Sequence, residues 1–368
     1  MLYNCVAATS FGMIFSTLFK IIPEPIGLEL SDRSIKTVKL KKRGKHFNLV
    51  DFSEKVVPEN VLKDGVIQSE QKLAKILREA VGSEKTLYVS SSFPEQKTYL
   101  RVVQLPAMSK EEIKDAIQWE VEANMPLSLD EIYFDWEIIS NSSSKKNHLD
   151  ILVSVAPKEI VDSYISLFKT AGLRLFSLEP ESLALARSVI PEKRNKDAVM
   201  IIDIGLTHAL FVIHAANSVR FASSTPAISG NVMTQAISKS LKTDAKKAEK
   251  LKKEVGLGKK GDKRVSEALT PVVSALRKQA KEYIGFYEAH AGHTHDSKPI
   301  STVLLSGGDS LLLCLEENLS SFLNIPVQKA KPGENVFGPE QKIKLSQKDL
   351  LKYSTALGLA TGGLSPHI

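Results

Sequence analysis

Four short stretches of the chain carry residues whose types and spacing suit phosphate and metal chemistry. In VMIIDIGLTHALFVI, Asp203 ends an apolar strand pattern, Gly205 admits an unusual backbone turn, and Thr207 follows two residues on. Successive N–H groups in such a turn can cup phosphate oxygens, and the acid can hold Mg2+ through its retained water shell. Taken alone, Asp-x-Gly is equally an ordinary turn. In LLSGGDSLLL a strand pattern meets Gly307 and Gly308 and then a helix pattern. Backbone at such a corner can pass close to a planar ligand beside free helix N–H groups, although a plain strand-to-helix turn has the same sequence. In AEKLK, Glu249 and Lys252 are three apart and share a helix face. They suit either a grip on a ribose or a surface ion pair. The fourth stretch, LELSDRSIKTV, echoes the first: an acid, Glu29, on a strand, a polar turn at Ser31 and a returning strand. Two strand–turn–strand units, each with an acid on its first strand, are how a two-lobed phosphate clamp can be built.

Other chemistries fit less well. His290, His293 and His295 with Asp296 have the composition of a metal cluster, but their spacing matches no closed site and the neighbouring Gly292 reads as loop. There is no nucleophile elbow with a Ser-His-Asp order and no Walker loop. No catalytic residue is assigned. The two cysteines, Cys5 and Cys314, have no metal or redox spacing, which fits a reducing compartment. The formal net charge of +7 is concentrated between Lys239 and Arg264, where 11 basic residues meet 4 acidic ones. That run contains no aromatic residue, so a solvated helix face is the better reading and nucleic acid is not an expected partner.

Stepping along the 368 residues, a chain of this length calls for more than one lobe. Residues 1–22 are apolar but interrupted by Asn4, Thr9, Ser10, Ser16 and Thr17, with no basic start. They read as a disordered leader or a mis-set start ahead of Met13, rather than as a signal peptide or span. The folded part begins at Pro23 with two alternating strands joined through the basic turn Lys41–Lys45. Helices are expected over Ser69–Val81, from Ser109 to before Pro126 with a capping box to Glu112, and over Val161–Thr170. Strands are expected at 86–93, Tyr133–Ile139, Leu149–Ala156 and Thr302–Leu305. Further helices are expected over Lys239–Val255, Thr270–His290, Leu311–Leu323 and Leu350–Ala360.

The order of these pieces resembles the actin, FtsA and heat-shock ATPase superfamily: first phosphate strand, second phosphate strand, Ala-Glu-x-x-Lys helix, Gly-Gly turn. Within it the chain resembles the PilM family of type IV pilus assembly, also called the competence protein A family. The most specific pieces are IGLELSDRSIKTVKL, LKDGVI, RVVQLPAMSKEEIKDAIQWEVEANMPLSLDEIYFDWEII, FKTAGLRLFSLEPESLALAR, the Gly230-Asn231 pair and STALGLA. The resemblance implies an α/β fold of FtsA/PilM type, with two mixed-sheet lobes and a small inserted α+β subdomain. It divides the chain into a first lobe at 23–93 and 173–198, an insertion at 94–172, a second-lobe core at 199–224 and 300–339, an outer subdomain at 225–299, and a returning C-terminal helix within 340–368. It also implies ATP and Mg2+ as cofactors. The nucleotide would be held by Ser31, Lys36, Asp203, Gly205, Thr207, Gly230, Glu249, Lys252, Gly307 and Gly308, and the metal by Glu29 and Asp203.

Departures from the family pattern limit the chemistry. Glu29 and Ser31 stand where Asp-x-Gly is common, Asp32 follows, and Ala209 replaces a frequent hydroxyl residue, so hydrolysis is expected to be slow at most. The resemblance implies a scaffold at the cytoplasmic face of the inner membrane, among other pilus assembly proteins. It would hold the cytoplasmic N-terminal tail of a PilN-like inner-membrane protein between the first lobe and the insertion, and reach the membrane only through that partner. Leu100–Trp136, rich in Ile113, Ile117, Trp119 and the IYFDW strand, is the expected docking stretch. An FtsA-like division protein, a type II secretion relative and a nucleotide-free scaffold are the alternatives; a kinase would need a substrate acid that is not evident.

Overall fold

Alternation of apolar and polar residues becomes sheet in the computed structural model, which describes residues 24–44, 46–82, 87–139, 148–191, 197–258, 261–291, 298–334, 336–338, 343 and 345–362. The leader and the residues His293, His295 and Asp296 lie outside this range.

The first lobe begins with strands β1 (Ile26–Leu30), β2 (Ser34–Arg43) and β3 (His46–Val56). Three strands thus stand where two were expected: the basic residues Lys41–Arg43 continue β2, and the reversal comes only at Gly44 (φ +62°). A short hairpin, β4 (Leu62–Lys63) and β5 (Val66–Ile67), leads to α1 (Glu70–Val81) and then β6 (Tyr88–Phe93). The insertion holds β7 (Tyr99–Pro106), α2 (Lys110–Asn124), β8 (Ile132–Ile138) and β9 (His148–Pro157), with sheet order β7-β9-β8. Helix α2 has the expected capping box: Glu112 N–H donates to Ser109 Oγ, and Ser109 N–H donates to Glu112 Oε2 at 2.8 Å. It buries Ile113, Ile117 and Val121 against this sheet, whereas Trp119 is 74% exposed. Helix α3 (Lys158–Thr170) packs its Val161, Tyr164, Leu167 and Phe168 face into the first lobe with Leu73 and Leu77 of α1, although the sequence grouped it with the insertion. Strand β10 (Arg174–Pro180) and helix α4 (Glu181–Val189) complete this half.

The second lobe repeats the plan with β11 (Val199–Ile204), β12 (Ala209–Ala215) and β13 (Ser218–Thr225). Helices follow: α5 (Gly230–Leu241), α6 (Ala245–Val255) and α7 (Lys263–Ala291). The single helix expected over Lys239–Val255 is broken: Lys242 is left-handed and Asp244 caps α6 by accepting from Lys247 N–H. Strand β14 (Thr302–Ser306), a 3-10 turn at Gly308–Leu311, α8 (Leu315–Leu323) and β15 (Val327–Lys329) come next. Short α9 (Gln347–Leu350) and α10 (Ser354–Gly362) end the described chain.

The two five-stranded sheets have the same order, β3-β2-β1-β6-β10 and β13-β12-β11-β14-β15. In each the first three strands are antiparallel, and the first strand runs parallel to the fourth. The echo read between LELSDRSIKTV and IIDIGLTHALFVI is therefore a duplicated topology. Helix α4 leaves the first sheet and buries Leu185 and Val189 against the second, while α10 buries Ala356, Leu357 and Ala360 against β2 and the C-terminal segments. These two helices pack on each other between the lobes, with a cleft opening beside them.

Candidate functional site

The cleft has a volume of about 320 Å³. Its walls come from equivalent turns of the two sheets. In the first, Ser31 N–H donates to Ser34 O at 2.9 Å; in the second, Gly205 N–H donates to His208 O at 3.0 Å. The same closure four residues long makes Glu29 and Asp203 equivalent acids near the ends of equivalent strands, and both line the cleft. Ser31 Oγ also bonds back to Ser34 O at 3.0 Å, and Thr207 Oγ1 lies 3.3 Å from His208 Nδ1. The carbonyls of Gly205 and Leu206 accept from Gly230 and Asn231 N–H, so the second turn seals the N-terminus of α5. The N–H groups of Leu206 and Thr207 have no acceptor among the described residues and remain as donors for an anion. The Asp32 carboxylate accepts from Asp64 and Gly65 N–H in the β4–β5 turn.

The acids are incompletely neutralised. Lys36 Nζ sits 2.6 Å from Glu29 Oε1. Burial would lower the Lys36 pKa, but Glu29 outweighs it and the ammonium is held charged. Asp203 is pushed up to about 6, first by burial and then by the charge of Glu29; a Ser306 hydrogen bond, Lys36 and His208 pull only part of the way back. Glu29, paired with Lys36, and Asp203, near the charges of Lys36 and His208, are two acids lining one cleft, an arrangement that suits a divalent cation.

The third turn lies on the neighbouring strand, where Asp203 of β11 stands opposite Ser306 of β14. Gly307 has φ +83°, and a Cβ there would lie 2.4 Å from Ile204 O, so both conformation and space require glycine. Gly307, Gly308 and Asp309 line the cleft. Glu249 and Lys252 do not line it. Lys252 is buried and ties Glu249, Asp309 and Gly230 O together at 2.8, 2.5 and 3.1 Å. The structure thus brings Glu29, Ser31, Lys36, Asp203, Gly205, Thr207, Gly307 and Gly308 to one cleft. It sets Gly230, Glu249 and Lys252 behind it as a support.

The sequence profile described as "Type IV pilus assembly protein PilM" matches residues 27–363. The chain belongs to the PilM family. Among solved structures, the chain in one titled "PilM-PilN type IV pilus biogenesis complex" is similar over 94% of this chain and 100% of that one, at 22% identity and TM-score 0.78. The ethanolamine utilization protein EutJ from Carboxydothermus hydrogenoformans is similar at 17% identity and TM-score 0.52, over 91% of this chain and 88% of that one. MreB5 of Spiroplasma citri bound to ADP is similar at 14% identity and TM-score 0.52, over 85% and 94%. These likenesses share the actin-like two-lobed fold that the sequence suggested.

Several residues of the PilM-family cleft were missed in the sequence. Glu181, the first residue of α4, lines it and sits 3.3 Å from His208 Nε2. Burial would lower His208, but the hydrogen bond and charge of Glu181 raise it to about 9. Behind them Glu95 accepts from Ser182 N–H and Oγ, both at 3.0 Å, capping α4; burial and Glu181 push it up to about 7. Only the Pro180-Glu181 helix start was a signal for Glu181. A second groove of about 680 Å³ runs between strand β7 and the second lobe, lined by Tyr99–Gln104 on one side and Phe221, Phe286 and Tyr287 on the other. Among the described residues no helix is long and apolar enough to cross a membrane.

Proposed function

We propose that the protein is an ATP-binding scaffold of type IV pilus assembly that docks the cytoplasmic tail of a PilN-like inner-membrane protein. The observation that carries the nucleotide half is the facing pair Glu29 and Asp203 beside two N–H groups that have no acceptor. These residues fit Mg2+ with a polyphosphate: Leu206 and Thr207 N–H would hold phosphate oxygens, and Glu29 and Asp203 would hold the metal, which supplies charge neutralisation when bound. Glu181, an acid that lines the cleft, is engaged by a protonated His208, and no free general base is evident among the described residues. Phosphate release is therefore expected far below the ~10 per second typical of enzymes. Slow turnover suits a switch in which bound nucleotide biases lobe closure.

Calorimetry with ATP tests this half. Binding is expected only with Mg2+, and Asp203→Ala should weaken it at least ~10-fold, the loss of a charged contact. Absence of heat and of a thermal shift at millimolar nucleotide would favour a nucleotide-free scaffold. The partner half rests on family membership and on the insertion, whose Trp119 is an unusually exposed aromatic side chain. Titrating a synthetic tail peptide of the PilN-like protein from the same genome against wild type and Trp119→Ala tests it. Loss of binding in the variant is expected; no binding to wild type would exclude tail docking. Membrane association in this reading is peripheral, at the cytoplasmic face, and borrowed from the partner.

A further inference from the structure

Strand β3 is 11 residues long and lies at the edge of the first sheet, paired only with β2 within it. An edge of that length presents a row of backbone N–H and C=O groups that can template a further strand. Its Phe47 end is covered, because Phe47 N–H donates to Val336 O at 2.8 Å. From Val50 to Val56 the outer side has no backbone partner among the described residues. The pairing with β2 skips Val50, and this bulge ends the regular stretch of edge.

Alternation along the strand decides which groups face outward. Val57 N–H points inward and donates to Arg33 O at 2.9 Å. Lys55, Ser53 and Asp51 share that side, so Phe52, Glu54 and Val56 turn their N–H groups outward. The Phe52 N–H behaves accordingly: with no strand to bond, it donates to Oδ1 of its own neighbour Asp51 at 2.9 Å. An antiparallel strand added here must set outward residues opposite outward residues. A second copy of β3 does so when Ser53 lies opposite Ser53. Phe52 then exchanges both backbone bonds with Glu54 of the other copy, Asp51 faces Lys55, and Val50 meets Val56. These are the side chains the edge leaves unused. Val50 and Val56 are 54% and 75% exposed. Asp51 and Lys55 are exposed and make no ion pair among the described residues. The neighbouring registers lose this match. Centring on Glu54 sets two Glu54 carboxylates against each other, and centring on Phe52 sets Asp51 against Ser53 and Lys55 against Leu49.

We propose that β3 is a self-association edge, through which two copies of the protein pair antiparallel about a two-fold axis at Ser53. Such a contact uses the same surface on both copies and closes at two. The paired stretch is short, so the dimer is weak and forms at high micromolar protein. Sedimentation equilibrium of the full chain over a range of concentrations tests it. Wild type should show a monomer–dimer equilibrium that salt weakens. Asp51→Lys and Lys55→Asp each place like charges opposite one another at both symmetric positions, and each should weaken dimerisation about tenfold. Mixing these two single variants should restore association, since every pair across the axis then joins Lys to Asp. The double variant Asp51→Lys/Lys55→Asp should also dimerise as wild type does. Both positions are exposed, so the fold should survive, and unchanged thermal melting checks that. A monomer at every concentration, or assembly growing past the dimer, would overturn the proposal. A dimer that the single variants leave intact would place the contact on another surface and overturn it equally. So would a mixture or a double variant no better associated than the single variants.

Discussion

His214 is a buried base with no counter-acid among the described residues: it is 5% exposed, and its Nδ1 has no hydrogen-bond partner among them. Burial, and then the charge of Arg220, lower its pKa from 6.5 to about 4. Between those values the unfolded chain takes up a proton that the folded chain refuses, so stability is lost as pH falls from about 6.5 towards 4, by up to ~3 kcal/mol. Glu95 acts in the opposite direction. Its folded value of about 7 lies above the ordinary 4.5, so its contribution is present below pH 4.5 and is lost as pH rises through 7. Urea unfolding across pH 4–8 should show both limbs. His214→Gln should flatten the acid limb and Glu95→Gln the alkaline one; unchanged limbs would mean other groups set them. Neither residue was legible in the sequence, because burial at these positions is created by the packing of β12 and of the α4 N-terminus. Lys252 was misleading for the same reason. Within a run of solvated lysines such as Lys250 and Lys253, nothing local distinguishes the one that is buried.

At the scale of elements, patterning was legible where one face is buried and the other is wet. Helices α1 and α2, strands β6 and β9 and the capping box at Ser109 all follow from it. Strand β10, helix α4 and strand β13 were not assigned, since they lie at the lobe junction and are apolar or small on several sides. That junction depends on close backbone approach. Gly358 of α10 meets α4 so tightly that a Cβ would lie 1.8 Å from Ala184 O. Arg187 of α4 donates from Nη1 to Gly358 O and makes a bidentate pair with Glu179 at 2.7 and 2.8 Å. Gly358→Ala should therefore force the two helices apart and cost about 1–3 kcal/mol or more. Gly285 on α7 is the control, because a Cβ there meets nothing within 4 Å. Gly285→Ala should stabilise by up to ~1 kcal/mol, the helix propensity difference. Thermal melting reads both, and an equal response at the two sites would mean that the α4–α10 contact is loose.

For the whole molecule, the inserted sheet is the part whose attachment matters most, because it belongs to the first lobe by chain order yet rests on the second. Asp150 of β9 is fully buried, and its Oδ2 lies 3.1 Å from Arg220 Nη1 on β13, whose side chain is 7% exposed. Gln104 Nε2 of β7 donates to the other oxygen at 3.2 Å, and Arg220 Nε donates to Ala215 O at 3.1 Å. The pair thus joins the insertion to the edge of the second sheet, on the floor of the groove beside β7. Any relative movement of the lobes must either carry the insertion along or break a buried charge pair. Removing one partner leaves the other charge buried and uncompensated, which costs about 3–5 kcal/mol, whereas replacing both with apolar residues can be nearly neutral. Arg220→Met and Asp150→Leu should each lower stability by that amount, and the double variant should recover most of it. Hydrogen exchange supplies the spatial test: in Arg220→Met the amides of β7 and β9 should exchange faster while those of β11 and β14 in the second-lobe core keep their protection. A uniform increase would mean that the pair contributes to global stability without pinning the insertion, and an unchanged β7 would mean that apolar contacts such as Leu100 against the second sheet hold it unaided.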